Sequence, residues 1–229
     1  MADLSTDLPP QELITVFAAQ LSIPLNGEQA GHLVDFCALI LRWNRLTSLV
    51  RASNITELVR AHVIDCLAAV DEVYGKEIVD VGSGAGFPGI VFALTYPDRN
   101  FTLVESNQRR ARFLTQVKIE LGLANVTIAN CRVEALQPSE EVSCVTSRAY
   151  SSLRQFYQDC QHLIYRPADT RKTVQGTATG ATRFVAFKGR IEEHEIGELS
   201  LPPSAVRIKP LTVPDRDYRH LVIIDSGAC

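Results

Sequence analysis

The chain has 229 residues, of which 46% are hydrophobic and 21% charged, and carries a net charge of −3. That length suits one α/β domain with an extension, the composition excludes wholesale disorder, and the negative sum by itself argues against a nucleic-acid partner. The opening Met1–Pro10 has neither a basic start nor an apolar run, so no signal or transit peptide is expected. The longest apolar run, Phe36–Leu41, is too short to span a bilayer. Cys37, Cys66, Cys131, Cys144, Cys160 and Cys229 show no spacing suited to zinc, and a metal-free protein of the reducing cytoplasm is expected.

In chain order, residues 10–73 read as helical. Leu13, Val16, Phe17 and Leu21 recur at helical spacing, as do Leu33, Phe36, Cys37 and Ile40. A third helix over 54–73 places Ile55, Leu58, Val59, Val63 and Leu67 on related faces, with Asn54 as N-cap and Glu57 completing a capping box. Residues 1–75 thus read as a helical extension, acidic with four Lys/Arg against nine Asp/Glu.

From Glu77 the pattern changes. Short β-rich runs at Ile78–Val81, Phe101–Glu105, Val126–Ala129 and Val142–Thr146 alternate with helical stretches at 87–96, 107–122 and 151–164. Such alternation predicts a parallel sheet covered on both faces. Pro167–Thr182 has no hydrophobic period and reads as a mobile loop. Arg183–Lys188, Ala205–Leu211 and Arg219–Asp225 read as three further strands. The last two are joined by a connection too short for a crossover helix, so an antiparallel hairpin closes the sheet. Residues 76–229 therefore read as a Rossmann-like domain: a mostly parallel seven-stranded sheet with an antiparallel final strand.

The chemistry concentrates at Val79-Asp80-Val81-Gly82-Ser83-Gly84-Ala85-Gly86-Phe87-Pro88-Gly89, a strand running into a glycine turn and then a helix. Glycines fold such a turn tightly and admit a ligand without Cβ clash. Gly84-x-Gly86-x-x-Gly89 formally matches the dinucleotide fingerprint and leaves a nicotinamide cofactor and S-adenosylmethionine both open. Asp80 puts a carboxylate where a pyrophosphate would lie, which favours the cationic methionine end of S-adenosylmethionine, directly or through water. Pro88 suits an early helix turn. Glu105, closing the second strand, is placed to take ribose hydroxyls. After the third strand, the backbone of Val133 and the carboxylate of Glu134 are candidates to frame adenine; the plainer role for Glu134 is to cap the next helix. Between Arg148 and Arg190 eight basic residues stand against two acidic ones, making that segment the candidate phosphate contact.

From about Trp43 to Gly189, and again at Arg219–Ile223, the chain resembles the RsmG (GidB) family of bacterial small-subunit ribosomal RNA methyltransferases. The resemblance is carried by Leu58–Asp65, the glycine loop with its Phe-Pro-Gly ending, Arg109–Leu114, Arg132–Glu134, Ser147–Ala149 and Lys188-Gly189. It implies the class I S-adenosylmethionine-dependent methyltransferase fold and methylation of nitrogen-7 of a guanine in that RNA. The positions matching the family's cofactor contacts are Gly82, Phe87, Val133, Glu134 and Arg148, alongside Asp80, Ser83, Gly84 and Glu105 read from the loop. Ala85 and Phe87 replace the usual Pro and Leu, Ala61 adds a residue between the usual adjacent Arg and His, Cys66 stands where Ser is common, and the 167–182 loop is long.

Guanine nitrogen-7 already presents a lone pair, so positioning supplies much of the rate and no general base is demanded. No catalytic residue is therefore assigned. His62, Asp65 and Arg60 are candidates to close the cofactor pocket or position the guanine, with a purely structural role as the alternative; Lys188 is a candidate to position the guanine or contact a phosphate, and Arg148 to bind the methionine carboxylate or an RNA phosphate. Arg109, Arg110 and Arg112 are either a solvated helix face or RNA contacts. The expected partner is small-subunit ribosomal RNA or a 30S-type particle, with no membrane, and the chain is expected to act as a monomer. The competing readings are a small-molecule methyltransferase of the same fold, a nicotinamide oxidoreductase, and a ribosome-assembly factor that binds the cofactor without turnover.

Overall fold

A computed structural model describes residues 8–164, 181–214 and 219–228. The predicted loop 167–182 lies outside the described residues except for Ala181 and Thr182. Helix α1 (Pro10–Gln20) starts on a proline, whose missing N–H would have had no partner there. Helix α2 (Gly27–Asn44) opens on a complete capping box: the Gln29 N–H donates to the Asn26 side chain, and Gln29 Oε1 accepts the Asn26 N–H, each at 2.8 Å.

The expected long helix over 54–73 is instead a series of short turns. Helix α3 (Ile55–Leu58) passes into a π-helical turn at Val59–Val63, then α4 (Ile64–Leu67) and a 3₁₀ turn at Val70–Glu72. A π turn takes up one more residue than α geometry allows, and it falls where Ala61 extends the segment. Its residues Val59, Ala61 and Val63 are all buried, so packing on several sides outweighs any single helical period. Asn54 caps α3 by accepting the Glu57 N–H at 2.8 Å. The reciprocal half of the box goes one residue upstream: Glu57 Oε2 accepts from Ser53 N at 2.7 Å and Ser53 Oγ at 2.8 Å.

The sheet comprises β1 (Glu77–Val81), β2 (Asn100–Val104), β3 (Val126–Ala129), β4 (Cys144–Arg148), β5 (Arg183–Lys188), β6 (Val206–Pro210) and β7 (His220–Asp225). Their order is β3-β2-β1-β4-β5-β7-β6. The first five are parallel, and β7 inserts antiparallel between β5 and β6. Helices α5 (Gly89–Thr95), α6 (Gln108–Glu120), α7 (Leu153–Cys160) and α8 (Glu193–Gly197) complete the chain. Strand β4 sits two residues later than the sequence indicates. Val142 is buried, but the β1 ladder pairs Ile78 with Cys144, and Arg148 pairs with Phe187. Arg148 is thus the last residue of β4, and Glu105 the first residue beyond β2.

Alternation along the strands sends Ile78, Phe101, Leu103 and Val185 into one apolar cluster with α1, α2, α5 and α6. Val79, Val81, Val145 and Phe184 enter another with Phe156 and Tyr157 of α7. The helices before β1 therefore share a core with the sheet, and residue 75 marks a change of element rather than of core. At the opposite edge, buried Glu72 receives Arg207 at 2.7 Å, Lys209 at 3.1 Å and Arg183 at 3.3 Å. The Arg207 hydrogen bond, opposed by desolvation, holds its carboxyl down at about 2. A lowered carboxyl stabilises the fold above its ordinary range and loses that contribution as pH falls towards 2. Glu72→Gln is expected to cost about 1–2 kcal/mol at pH 7. The cost should shrink steadily in urea titrations between pH 4.5 and 2.

Candidate active site

The glycine loop turns between β1 and α5 with its amides facing inward. Gly82 N and Ser83 N both donate to the Val104 carbonyl, at 2.9 and 3.1 Å, and Gly86 N donates to the Ser83 carbonyl at 2.7 Å. Gly84 N donates to Glu105 Oε2 at 2.9 Å, and Gly89 N to Asp80 Oδ2 at 3.3 Å. A pyrophosphate site needs such N–H groups pointing at the ligand. Here those five are already used, which removes the basis for the nicotinamide reading.

Asp80 has 0% exposure, and its carboxylate lies beneath the loop. Oδ1 accepts the Thr146 hydroxyl at 3.0 Å, Oδ2 the Gly89 amide, and the Asp80 carbonyl accepts the Ser83 hydroxyl at 2.9 Å. The Asp80 and Ser83 side chains are both buried supports of the turn. Gly89 is required by this support, since a Cβ there would stand 2.7 Å from Asp80 Oδ2.

Burial pushes the Asp80 carboxyl up to about 6, against the hydrogen bonds of Ser83, Thr146 and Gly89. A raised carboxyl contributes most below pH 3.8, and stability falls as pH rises through 6, by about 3 kcal/mol. Asp80→Asn retains both partners, because its oxygen can accept from Gly89 and its amide donate to Thr146. Unfolding midpoints of this variant should stay level between pH 4 and 6 where those of the parent decline. Equal declines in both would remove Asp80 as the source.

A cavity of about 460 Å³ opens at the carboxyl ends of β1, β2 and β4, where ligands bind in open parallel sheets. It is lined by Gly82 of the loop, Val104 and Ser106 from the β2 end, Cys131 to Glu134 after β3, and Ala149 to Ser151 after β4. Gly82 has φ +70° and its Cβ position meets no atom within 4 Å, so the glycine opens onto this space. Val133 is buried and Glu134 exposed within a 3₁₀ turn at Val133–Ala135, bringing both expected adenine-side residues to one wall. Glu105 is buried beside it; its oxygens accept from Gly84 N and from Asn107 N, at 2.9 and 2.7 Å. Each carboxylate oxygen keeps lone-pair capacity for a hydroxyl. A polar floor, a buried acid beside it and a cavity of this size fit S-adenosylmethionine.

Val81, Gln155 and Asp159 complete the lining, in which Tyr150, Gln155 and Asp159 are not singled out by the sequence. The Tyr150 hydroxyl donates to Asp159 Oδ2 at 2.6 Å, tying the turn after β4 to α7. The strand-end rule that picked out Arg148 extends to Ala149 and Tyr150, and was the available signal.

A second group stands next to the loop. The His62 ring lies on Phe87, centroids 4.9 Å apart, and the Arg148 guanidinium reaches His62 Nδ1 and sits 5.5 Å from the Phe87 ring. Sequence positions 62, 87 and 148 are thus brought together. Asp65 is buried and pairs with Arg219 at 3.5 Å, and Lys188 pairs with Glu195, so these two candidates are engaged separately. Among the described residues no cluster suited to a metal ion occurs, and no helix is long and apolar enough to cross a membrane. Burial raises the thiols of Cys37, Cys66 and Cys144 to about 12, leaving them protonated.

The strand order, the inserted antiparallel β7 and the cavity at the strand ends define a class I S-adenosylmethionine-dependent methyltransferase fold. A solved structure, a SAM-dependent methyltransferase from Aquifex aeolicus, shares this fold with a TM-score of 0.53 at 14% identity, covering 83% of this chain and 98% of that one. The profile of the GidB family, described as rRNA small subunit methyltransferase G, matches residues 29–222. A protein of Stutzerimonas stutzeri named ribosomal RNA small subunit methyltransferase G is 38% identical over 213 residues, 90% of this chain and 91% of the relative. A Photobacterium profundum protein of the same name is 34% identical over 217 residues, 94% of this chain and 98% of the relative. The chain belongs to the GidB family.

Proposed function

We propose that this chain transfers the methyl group of S-adenosylmethionine to nitrogen-7 of a guanine in small-subunit ribosomal RNA. The observation that carries the reading is the family match over 29–222, which spans every element that builds the cavity. Gly82 leaves the floor open, Glu105 meets the ribose, Val133 and Glu134 frame the adenine, and Arg148 receives the carboxylate. The cofactor supplies an electrophilic methyl on a sulfonium. The chain's task is to hold the acceptor in line, since nitrogen-7 carries no proton to remove. Phe87 and His62 form an aromatic wall at the end of the loop, and this wall orients the base, with Asp65 and Lys188 as outer positioning groups. The chain acts as a monomer in the cytoplasm on a 30S-type particle.

The test is mapping of 7-methylguanine in small-subunit rRNA from cells with and without the gene, paired with assays on intact particles and stripped RNA. One guanine is expected to lose its methyl group in the deletion. If every guanine keeps its modification, the reading fails.

A further inference from the structure

Three basic residues of the segment 148–190 are engaged within the fold. Arg148 is held at His62, Arg183 pairs with Asp225 at 2.7 Å and with Glu72, and Lys188 pairs with Glu195. A further group of arginines lies on α6 and on the loop after α2. Arg109 and Arg112 are exposed on α6, three residues apart and hence on one face, with Arg110 half-buried beside them. Among the described residues none of the three has a carboxylate within ion-pair distance. Helix α6 starts at the rim of the cavity: Ser106 lines the cavity, and Asn107 caps the helix by accepting from Arg109 N at 2.9 Å.

Helix α2, and with it the start of the loop that follows, packs against α6. Trp43 packs edge-on against Phe113, centroids 5.6 Å apart. The Asn44 side chain pins the loop, its amide donating to the Val50 carbonyl at 2.8 Å and its oxygen accepting from Leu49 N at 2.9 Å. That loop carries Arg45 and Arg51, both exposed and without an ion pair among the described residues, and Leu46, 81% exposed. Five arginines without an ion pair among the described residues stand out in a chain of net charge −3. Guanidinium groups match phosphates in charge and fork geometry, and an exposed leucine among them can meet an unstacked base.

We propose that the α6 face bearing Arg109 and Arg112, extended by Arg45, Leu46 and Arg51, is the docking surface for the phosphodiester backbone of the substrate RNA. This inference rests on the reading that RNA is the acceptor. The surface grips the strand at the cavity rim while the aromatic wall holds the target base, so backbone binding and base orientation reside on different elements.

The test compares the parent with Arg109→Gln/Arg112→Gln and with Arg45→Gln/Arg51→Gln. Methylation of small-subunit particles is followed across a salt series, and S-adenosylhomocysteine affinity by calorimetry. Each pair is expected to lower kcat/KM about tenfold or more near physiological salt and to flatten the salt slope by about 1–2, roughly one phosphate per arginine. Cofactor affinity should be unchanged, because these side chains do not line the cavity. Parental activity and slope in the Arg109/Arg112 pair would overturn the proposal while leaving the function intact. A parent that methylates neither particles nor RNA would instead bring down the function itself, and the docking surface with it.

Discussion

Replacing Glu105 with alanine is expected to reduce affinity for S-adenosylhomocysteine by about a hundredfold and to lower unfolding free energy by about 2–3 kcal/mol, because hydrogen bonds to a charged acceptor are worth about 1.5–3 kcal/mol and buried donors left without one are penalised. The carboxylate accepts from Gly84 N and Asn107 N, so its loss frees both the glycine loop and the start of α6 at once. Glu105→Gln keeps one oxygen and should fall between the two. Calorimetric titration combined with urea unfolding separates the effects: parental affinity in the alanine variant would remove Glu105 from the ribose site, whatever its stability.

Gly89→Ala carries the second large effect. The added Cβ would stand 2.7 Å from Asp80 Oδ2, 3.1 Å from Asp80 Cβ and 3.0 Å from Leu103 Cγ, all in the buried layer under the loop. Overpacking of this kind costs about 1–3 kcal/mol, and this site belongs at the upper end because a carboxylate with fixed partners must give way. Methylation should be lost with it, since the turn and the cavity floor share this support. Gly82→Ala is the contrast. Its Cβ meets no protein atom, so only the φ of +70° weighs on stability, about 1 kcal/mol, while cofactor affinity falls by obstruction of the open floor. Equal melting of the two variants would contradict the assignment of one glycine to packing and the other to ligand.

Local signals in the sequence carried the fold a long way. The strand-helix alternation after Glu77, the glycine spacing and the short final connection each depend on neighbours in the chain, and all reappear in the sheet. What stays hidden depends on distant partners. That Asp80 supports the turn becomes visible only when Thr146, 66 positions away, is seen to donate to its carboxylate. Within the positive surplus after Arg148, Arg183 and Lys188 are found against Glu72, Asp225 and Glu195, which the run of charge alone does not announce. The contact between His62 and Arg148 spans 86 positions, and nothing in either segment announces it. The edges of β4 shifted because ladder register, rather than the apolar run, decides where a strand ends.

The π turn at Val59–Val63 gives the helix a slack point in length. A residue gained there is absorbed as a bulge, so α4 and Asp65 keep their seats against the core while the side chains within the turn are rotated about the axis. His62 lies inside that turn. Deleting Ala61 would draw the turn back to α geometry and swing the ring away from Phe87 with little strain on either flank. Insertion and deletion at this one position thus set where the His62 ring stands against Phe87, without rebuilding the domain.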